Sequence, residues 1–131
     1  MISRRMLKSK IHRATVTHAD LNYEGSITIA PELLKVSDIL PYEAVHIWNV
    51  TAGTRFETYA IEGPPGSHHI CVNGAAAHLV SVGDIIIIAS FTQVSEELCS
   101  AHLPKAIFMN GQNRISEIRP EKIAVLNAVS L

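Results

Sequence analysis

Four consecutive isoleucines at positions 85–88 constrain the fold of this chain more than any other feature. Isoleucine is β-branched, so a run of this kind favours extended backbone over helix. A strand that lacks polar alternation is expected to be buried on both faces, which happens where a sheet closes on itself or is covered. The run therefore predicts a strand inside a closed or covered sheet.

Short β-rich segments separated by turn residues recur along the rest of the chain, whereas helical periodicity is scarce. Predicted strands are residues 11–17, 44–50, 55–61, 70–73, 85–94 and 106–109. Short helices are expected outside the sheet, one over residues 31–39 that Pro31 opens and one over residues 95–102 that Ser95 caps. The pattern predicts a mainly β protein whose strand spacing suits a barrel.

Size and charge exclude several classes of protein. The 131 residues, with 47% apolar content and a formal net charge of -1, fit a single domain over 1–131 and give no electrostatic footprint for nucleic acid or an anionic membrane. The longest apolar run is far shorter than the roughly 20 residues of a membrane helix, and the basic N-terminus is unlike a signal peptide. Cys71 and Cys99 lie in different segments and are expected to be reduced thiols. We therefore expect a cytoplasmic protein.

The segment Tyr-Glu-Gly-Ser at residues 23–26 can be read as a self-cleavage site. Gly25 has no Cβ, so its backbone can enter conformations closed to other residues, and the Ser26 hydroxyl lies within reach of the Gly25 carbonyl. Attack would give an ester, elimination would leave dehydroalanine, and hydrolysis would release ammonia and leave a pyruvoyl group at the new chain start. The ordinary alternative is a surface turn followed by a strand over residues 26–29.

Further polar and aromatic residues accompany this segment in a fixed order. They are Lys10 and His12, the run Ile47-Trp48-Asn49-Val50, Arg55 with Thr58 and Tyr59, and the run Val72-Asn73-Gly74-Ala75-Ala76-Ala77. Any one of these motifs is weak, since Trp48 could be a core residue and Arg55 a solvated strand charge. Together with residues 23–26, they resemble the aspartate 1-decarboxylase family, from about residue 6 to residue 91.

The resemblance implies a fold, a reaction and an assembly. The fold is a six-stranded double-psi β-barrel with short flanking helices. The reaction is pyruvoyl-dependent decarboxylation of L-aspartate to β-alanine and CO2, which feeds pantothenate and coenzyme A biosynthesis. Autocatalytic cleavage between Gly25 and Ser26 would give a β chain, 1–25, and an α chain, 26–131, in a homotetramer with sites between subunits. Whether cleavage is spontaneous or needs an accessory maturation factor stays open.

The resemblance also implies roles for individual residues. Ser26 becomes the pyruvoyl group, which forms a Schiff base with the substrate, and Tyr59 is the catalytic proton donor. Thr58 contacts the glycine carbonyl during maturation and then helps to bind the substrate. The remaining residues implied to line the substrate site are Gly74, Ala75 and Ala76.

Reaction chemistry agrees with these roles. Loss of the α-carboxylate leaves a carbanion, so the enzyme needs an electron sink conjugated to the amine nitrogen, which a Schiff base with the pyruvoyl ketone supplies. Pyridoxal phosphate is not expected, because no Gly-rich phosphate cradle is apparent. A tyrosine keeps its proton at neutral pH, so Tyr59 is a sensible acid.

Two cations are candidates for the two carboxylates of aspartate. Arg55 can hold one carboxylate bidentately, and Lys10 offers a compact positive charge to another. Which carboxylate each cation binds is open. A tight salt bridge on the departing group would oppose its loss, which favours Arg55 on the retained carboxylate.

Other residues carry weaker predictions. His12 shares a strand face with Lys10 and could reach the same site. Tyr23 belongs to the cleavage segment, Trp48 could wall the site or belong to the core, and Asn73 could place backbone amides at the site or make an ordinary turn. His18 with Asp20, and His68 with His69, superficially suggest metal ligands, but no third ligand falls at a persuasive spacing, so no metal is expected.

Two rival functions fit parts of the sequence. The first is a catalytically silent β-barrel interaction module in which residues 25 and 26 are only a turn. The second is a serine hydrolase with Ser26 as its nucleophile. For the second function, the sequence has neither a G-x-S-x-G elbow nor a recognisable Ser-His-Asp arrangement.

Overall fold

A computed structural model describes residues 1–121 of the protein. The strands are β1 Ser3–Thr15, β2 His18–Asp20, β3 Ser26–Ile29, β4 Ala44–Asn49, β5 Arg55–Glu62, β6 Ile70–Asn73, β7 Ile85–Ser95, β8 Lys105–Met109 and β9 Ile115–Pro120. The helices are α1 Pro31–Val36, α2 Glu96–Cys99 and a 3-10 helix, Gly74–Leu79. The last ten positions of the predicted 26–131 fragment lie outside the described residues.

The strands form a barrel, because β2, at one end of the strand order, continues directly from β1, which lies next to β7 towards the other end. The order is β2-β6-β3-β5-β4-β7-β1-β8-β9. Only two residues separate β1 from β2, and the Thr17 amide between them donates to the Ile70 carbonyl at 2.9 Å. β1 and β2 therefore act as one continuous strand that pairs with both β7 and β6.

The closed part of the sheet contains six strands: the combined β1 and β2, then β6, β3, β5, β4 and β7. Two of its pairs, β2–β6 and β3–β5, are parallel, and the others are antiparallel. β8 and β9 extend the sheet beyond the barrel from β1. The predicted fold class, a mainly β six-stranded double-psi barrel with short flanking helices, is confirmed.

The isoleucine run lies on β7, which pairs with β1 on one side and β4 on the other. Ile86 and Ile88 are fully buried in the barrel core, whereas Ile85 and Ile87 are half-buried. The prediction that both faces are buried was wrong. Side chains alternate across a strand, so every second isoleucine enters the interior while its neighbours lie on the partly covered outer face.

Other boundaries differ from the sequence predictions for local reasons. β1 begins at Ser3 rather than at residue 11, because its first half pairs with the distant end of β7. β2 and β9 were not predicted, and their residues are almost all exposed, which leaves no clear alternation of apolar and polar positions. The two α-helices are shorter than predicted, and Ser95 occupies the N-cap position of α2 without a side-chain capping bond.

Among residues 1–121, no helix is long and apolar enough to cross a membrane.

Candidate active site

Ser26 begins β3 and is almost completely buried, with 1% of its surface exposed. Its hydroxyl donates to the Glu24 carbonyl at 3.1 Å and accepts from Nδ2 of Asn73 at 3.1 Å. Asn73 lies directly opposite Ser26 in the antiparallel β3–β6 register, and the same amide donates to Oγ1 of Thr28 at 3.0 Å. Pairing of β3 with β6 therefore fixes the position of the Ser26 oxygen.

Gly74 follows Asn73 and packs against the backbone of Gly25. It has a φ of +69°, and a Cβ at this position would lie 2.6 Å from Cα and 2.7 Å from the backbone nitrogen of Gly25. Two backbones can approach this closely only where one residue lacks a side chain. Gly74 thus supports the residue on the N-terminal side of the predicted cleavage bond.

Gly25 itself does not show the special backbone conformation that the sequence allows for it. The positive-φ glycines among the described residues are Gly53, Gly66, Gly74 and Gly83, and a Cβ built on Gly25 would meet nothing within 4 Å. In the uncleaved chain, the requirement for glycine therefore falls on Gly74 rather than on Gly25.

A cavity of about 380 Å³ opens in front of Ser26. The parallel β3–β5 pairing sets Ile27 opposite Ala60, which brings the half-buried Tyr59 of β5 to this cavity. The Tyr59 ring lies 6.4 Å, centroid to centroid, from the ring of Tyr42. The cavity is lined by Tyr23, Glu24, Ser26, Pro41, Tyr42, Tyr59, Ile61 and Glu62. The predicted acid and the predicted cofactor precursor therefore share one cavity.

Three predicted site residues lie away from the cavity in front of Ser26, namely Thr58, Ala75 and Ala76. Successive side chains of a strand point to opposite faces, so Thr58 lies on the other face of β5 from Tyr59. Ala75 is exposed and Ala76 packs against the hydrophobic core, both within the 3-10 helix that Gly74 begins. Within residues 1–121, none of the three lines the cavity in front of Ser26.

The two predicted cations lie elsewhere on the barrel. The Arg55 guanidinium lies over the Trp48 ring at 5.1 Å from its centroid, at the start of β5. Arg55 and Tyr59 are four positions apart on the extended strand, a distance of about 13 Å. Nζ of Lys10 makes an ion pair of 2.8 Å with Glu121. In the described chain neither cation reaches the cavity in front of Ser26.

His12 shares the outer face of β1 with Lys10, as predicted. Its ring contacts Phe108 edge to face at 5.2 Å, and its Nδ1 is buried and finds no hydrogen-bond partner within residues 1–121. Burial, with a further contribution from the Lys10 charge, lowers the pKa of His12 below its ordinary value. The neutral imidazole is therefore favoured in the folded protein.

Strand register groups these outer residues into a row. His12 lies opposite Ile87 of β7, Ile87 lies opposite Trp48 of β4, and Trp48 lies opposite Arg55 of β5. Residues opposite each other in register point to the same face of a sheet. Apart from Thr58, Ala75 and Ala76, the predicted site residues thus form two groups, one around Ser26 and one along this outer row beside Lys10.

Several cavity residues were not found from the sequence. Tyr42 and Glu62 line the cavity and are far from residue 26 in the chain. Ile61 follows Tyr59 by two positions on β5, so strand alternation could have indicated it. Nothing in the sequence marks the loop before β4 that brings Pro41 and Tyr42 to the site.

Similarity to a solved structure is limited. The crystal structure of the rationally designed protein mkDPBB_sym_86 aligns with a TM-score of 0.45 and 13% identity, over 59% of this chain and 90% of that protein. A likeness of this extent supports no conclusion about fold or function.

Sequence similarity is extensive. A family model described as "Aspartate decarboxylase" matches residues 2–116. The aspartate 1-decarboxylase of Legionella pneumophila (strain Lens) is 68% identical over 129 residues, 98% of this chain and 97% of that protein. Those of Syntrophotalea carbinolica and Myxococcus xanthus are 64% and 54% identical, over 86% and 84% of this chain and 86% and 85% of their own lengths. The chain belongs to the aspartate decarboxylase family.

Proposed function

We propose that this protein converts L-aspartate to β-alanine and CO2 after autocatalytic cleavage between Gly25 and Ser26. The observation that carries the proposal is the buried Ser26 hydroxyl, held by Asn73 at the edge of the cavity that Tyr59 lines. A serine that served only as a turn residue would need neither this burial nor a dedicated amide donor. Family membership selects aspartate as the substrate.

The bonds that change during the proposed maturation belong to Gly25, Ser26 and water. Oγ of Ser26 attacks the Gly25 carbonyl carbon, an ester forms, and the broken amide leaves a free amine on Ser26. Loss of the Ser26 Cα proton with cleavage of the Cβ–O bond gives a carboxylate on Gly25 and dehydroalanine at position 26. Water then displaces ammonia. The products are fragments 1–25 and 26–131, the second beginning with a pyruvoyl group.

Asn73 and Gly74 assist the first step. The amide of Asn73 donates to one lone pair of the Ser26 hydroxyl oxygen. The other lone pair of this oxygen is the one that must face the Gly25 carbonyl carbon during attack. Gly74 packs against Gly25 and restricts where that carbonyl can go. Holding two reacting groups in the correct position can remove a large part of the activation barrier of such a reaction.

Surroundings of Ser26 fit a pyruvoyl group. The position is buried, opens on the cavity and keeps a neutral amide donor, Asn73, beside it. Such a group would supply an electrophilic ketone carbon that can join the substrate nitrogen, with loss of the ketone oxygen as water, and then draw electrons from the bond to the departing CO2. Tyr59 would hold its phenolic proton for delivery to the same carbon.

The proposed substrate site uses residues of both groups, and their separation on one chain supports a site shared between subunits of a homotetramer. Among residues 1–121, the cavity near Ser26 is lined by Tyr59 but by no cation, while Arg55 and Lys10 lie on other parts of the barrel surface. Nζ of Lys10 already donates to the carboxylate of Glu121 at 2.8 Å, which supports Lys10 as a partner for a carboxylate of aspartate. A neighbouring subunit would bring its outer row to this cavity, with Trp48 as an apolar wall and His12 beside it.

The same proposal includes two statements that rest on the family resemblance. The β-alanine supplies pantothenate and coenzyme A biosynthesis, and the protein is cytoplasmic. The free thiols of Cys71 and Cys99 fit a reducing compartment. Incubation of the purified protein alone, followed by mass over time, would separate spontaneous cleavage from cleavage that needs an accessory factor.

A single substitution tests the proposed function. Ser26→Ala removes the oxygen that attacks Gly25, so the variant should fold, stay uncleaved and release no CO2 from L-aspartate. Ser100→Ala, at an exposed serine after α2, is the matched control and should behave as the wild type. Retention of aspartate decarboxylation by the Ser26 variant would contradict the proposal and favour a different catalytic group.

A further inference from the structure

A second cluster of reactive side chains spans the parallel β2–β6 pair. His18 of β2 lies opposite Cys71 of β6 in register, and His69 immediately precedes β6. Nδ1 of His18 is 3.5 Å from Sγ of Cys71, and the rings of His18 and His69 are 4.7 Å apart. One ligand atom from each of the three residues lies within 4.8 Å of the others.

We propose that His18, His69 and Cys71 bind a thiophilic divalent cation of the Zn²⁺ class. Two imidazole nitrogens and one thiolate sulfur are donors that this class of cation prefers, whereas Mg²⁺ and Ca²⁺ prefer oxygen. In the sequence, His18 and His69 belong to two different motifs, and neither motif contains a third ligand. The fold supplies the missing third ligand, Cys71, from a strand 53 positions along the chain from His18.

The His18–Cys71 distance already suits a tetrahedral ion. Zn–S and Zn–N bonds of about 2.3 and 2.1 Å at a tetrahedral angle place the two ligand atoms about 3.6 Å apart. The observed Nδ1 to Sγ separation is 3.5 Å. His69 is exposed just outside β6, and its ligand nitrogen lies within 4.8 Å of the other two ligand atoms, so binding of the ion would require its side chain to rotate towards them.

Thr17 can release His18 to the ion without losing its own partners. Oγ1 of Thr17 lies 2.8 Å from Nδ1 of His18. The same oxygen accepts from the Ile70 amide at 2.9 Å and can donate to the Ile70 carbonyl at 3.2 Å. Binding of a cation by Nδ1 would therefore leave no buried hydroxyl unsatisfied.

Three protein ligands leave one position of a tetrahedral ion open, and a cavity of about 540 Å³ adjoins the cluster. His18, Cys71 and Asn73 all line this cavity, so water or a small anion can complete the coordination. Asn73 also contacts Ser26, which places the site beside the proposed active site but outside its chemistry. The proposed decarboxylation uses no metal.

Cobalt provides a direct test, because a Co²⁺–thiolate bond absorbs in the near ultraviolet. Co²⁺ is titrated into tag-free, reduced, full-length protein, and Zn²⁺ is then added. The expected result is one equivalent of a thiolate-to-cobalt band that Zn²⁺ removes. Cys71→Ser should abolish the band, and His69→Asn, at an exposed residue, should weaken Co²⁺ binding at least about tenfold.

Two matched controls locate the ligands. His68→Asn changes the neighbouring exposed histidine, and Cys99→Ser removes the other free thiol, so both should keep the wild-type band. Absence of the band in the wild type would overturn the proposal, as would its loss in Cys99→Ser with retention in Cys71→Ser. Should Cys71→Ser fail to fold, wild-type affinity in His69→Asn would overturn it equally. None of these readings depends on decarboxylase activity.

Discussion

At the scale of single residues, Gly74 has the contact that bears most directly on the proposed self-cleavage. Its backbone lies so close to Gly25 that a methyl group cannot fit between them. Asn73, next to it, holds the Ser26 oxygen. The two adjacent residues therefore act on the two sides of one peptide bond.

Gly74→Ala should slow self-cleavage by about 10²-fold, the typical effect of misplacing reacting groups by an ångström. The added Cβ would lie under 3 Å from two backbone atoms of Gly25, which must move. Gly53→Ala is the matched control, because Gly53 has a similar φ of +77° but open space around its Cβ position. The cleaved fraction is measured by gel against time. Equal rates in the two variants would show that contact with Gly25 is unimportant.

Tyr59→Phe should separate maturation from catalysis. The ring stays in the cavity but its proton is gone, so cleavage should be normal while turnover of L-aspartate falls by about 10²- to 10⁴-fold, as is usual for loss of a general acid. Cleavage is checked by mass and turnover by CO2 release on the same sample. Unchanged turnover in the fully cleaved variant would remove Tyr59 from the role of acid.

Elements of the fold could be predicted where the sequence pattern is strong. The strand boundaries around Arg55–Glu62 and Ile70–Asn73 agree with the predictions to within one residue, since alternation and turn residues mark both ends. The three-residue strand β2 was missed because all its side chains are exposed and its pairing with β6 is long-range. The third ligand of the proposed metal site, Cys71, was missed because the same long-range pairing brings it to His18.

Ile88→Ala and Ile85→Ala test the inside and outside faces of β7. Ile88 is fully buried between Ile11 and Ile47, so its truncation should cost about 2–5 kcal/mol of unfolding free energy. Ile85 is half-buried at the end of the strand, so its truncation should lower the unfolding free energy by less than about half of that amount. Urea unfolding at a fixed protein concentration measures both. Equal costs would contradict the assignment of alternate isoleucines to the barrel interior.

At the scale of the whole molecule, the residues proposed for the site fall into two separate groups on one chain, and we propose that each site combines the two groups from neighbouring subunits. The sequence identified residues in both groups, but a sequence carries no direct signal of which residues come from a neighbouring copy. Strand register made the division visible, because it places Trp48 and Arg55 in one outer row, away from the cavity of Ser26 and Tyr59.

Co-assembly of two inactive variants tests this division. Arg55→Ala and Tyr59→Phe are each expected to be poorly active alone. If every site takes Tyr59 from one subunit and Arg55 from its neighbour, random mixing should restore wild-type residues in about a quarter of the sites. Activity of the co-expressed mixture is compared with that of the two variants mixed after folding. No recovery on co-expression would indicate that both residues act within one chain.

The intact mass of the purified, denatured protein tests the central claim most directly. Self-cleavage with pyruvoyl formation predicts two fragments divided after Gly25, the larger one lighter by one ammonia than a chain simply hydrolysed to begin with Ser26. A fragment with the full hydrolysed mass would show cleavage without formation of the cofactor. A single full-length mass that persists on prolonged incubation and after addition of cell extract, in protein that nevertheless decarboxylates aspartate, would contradict the account.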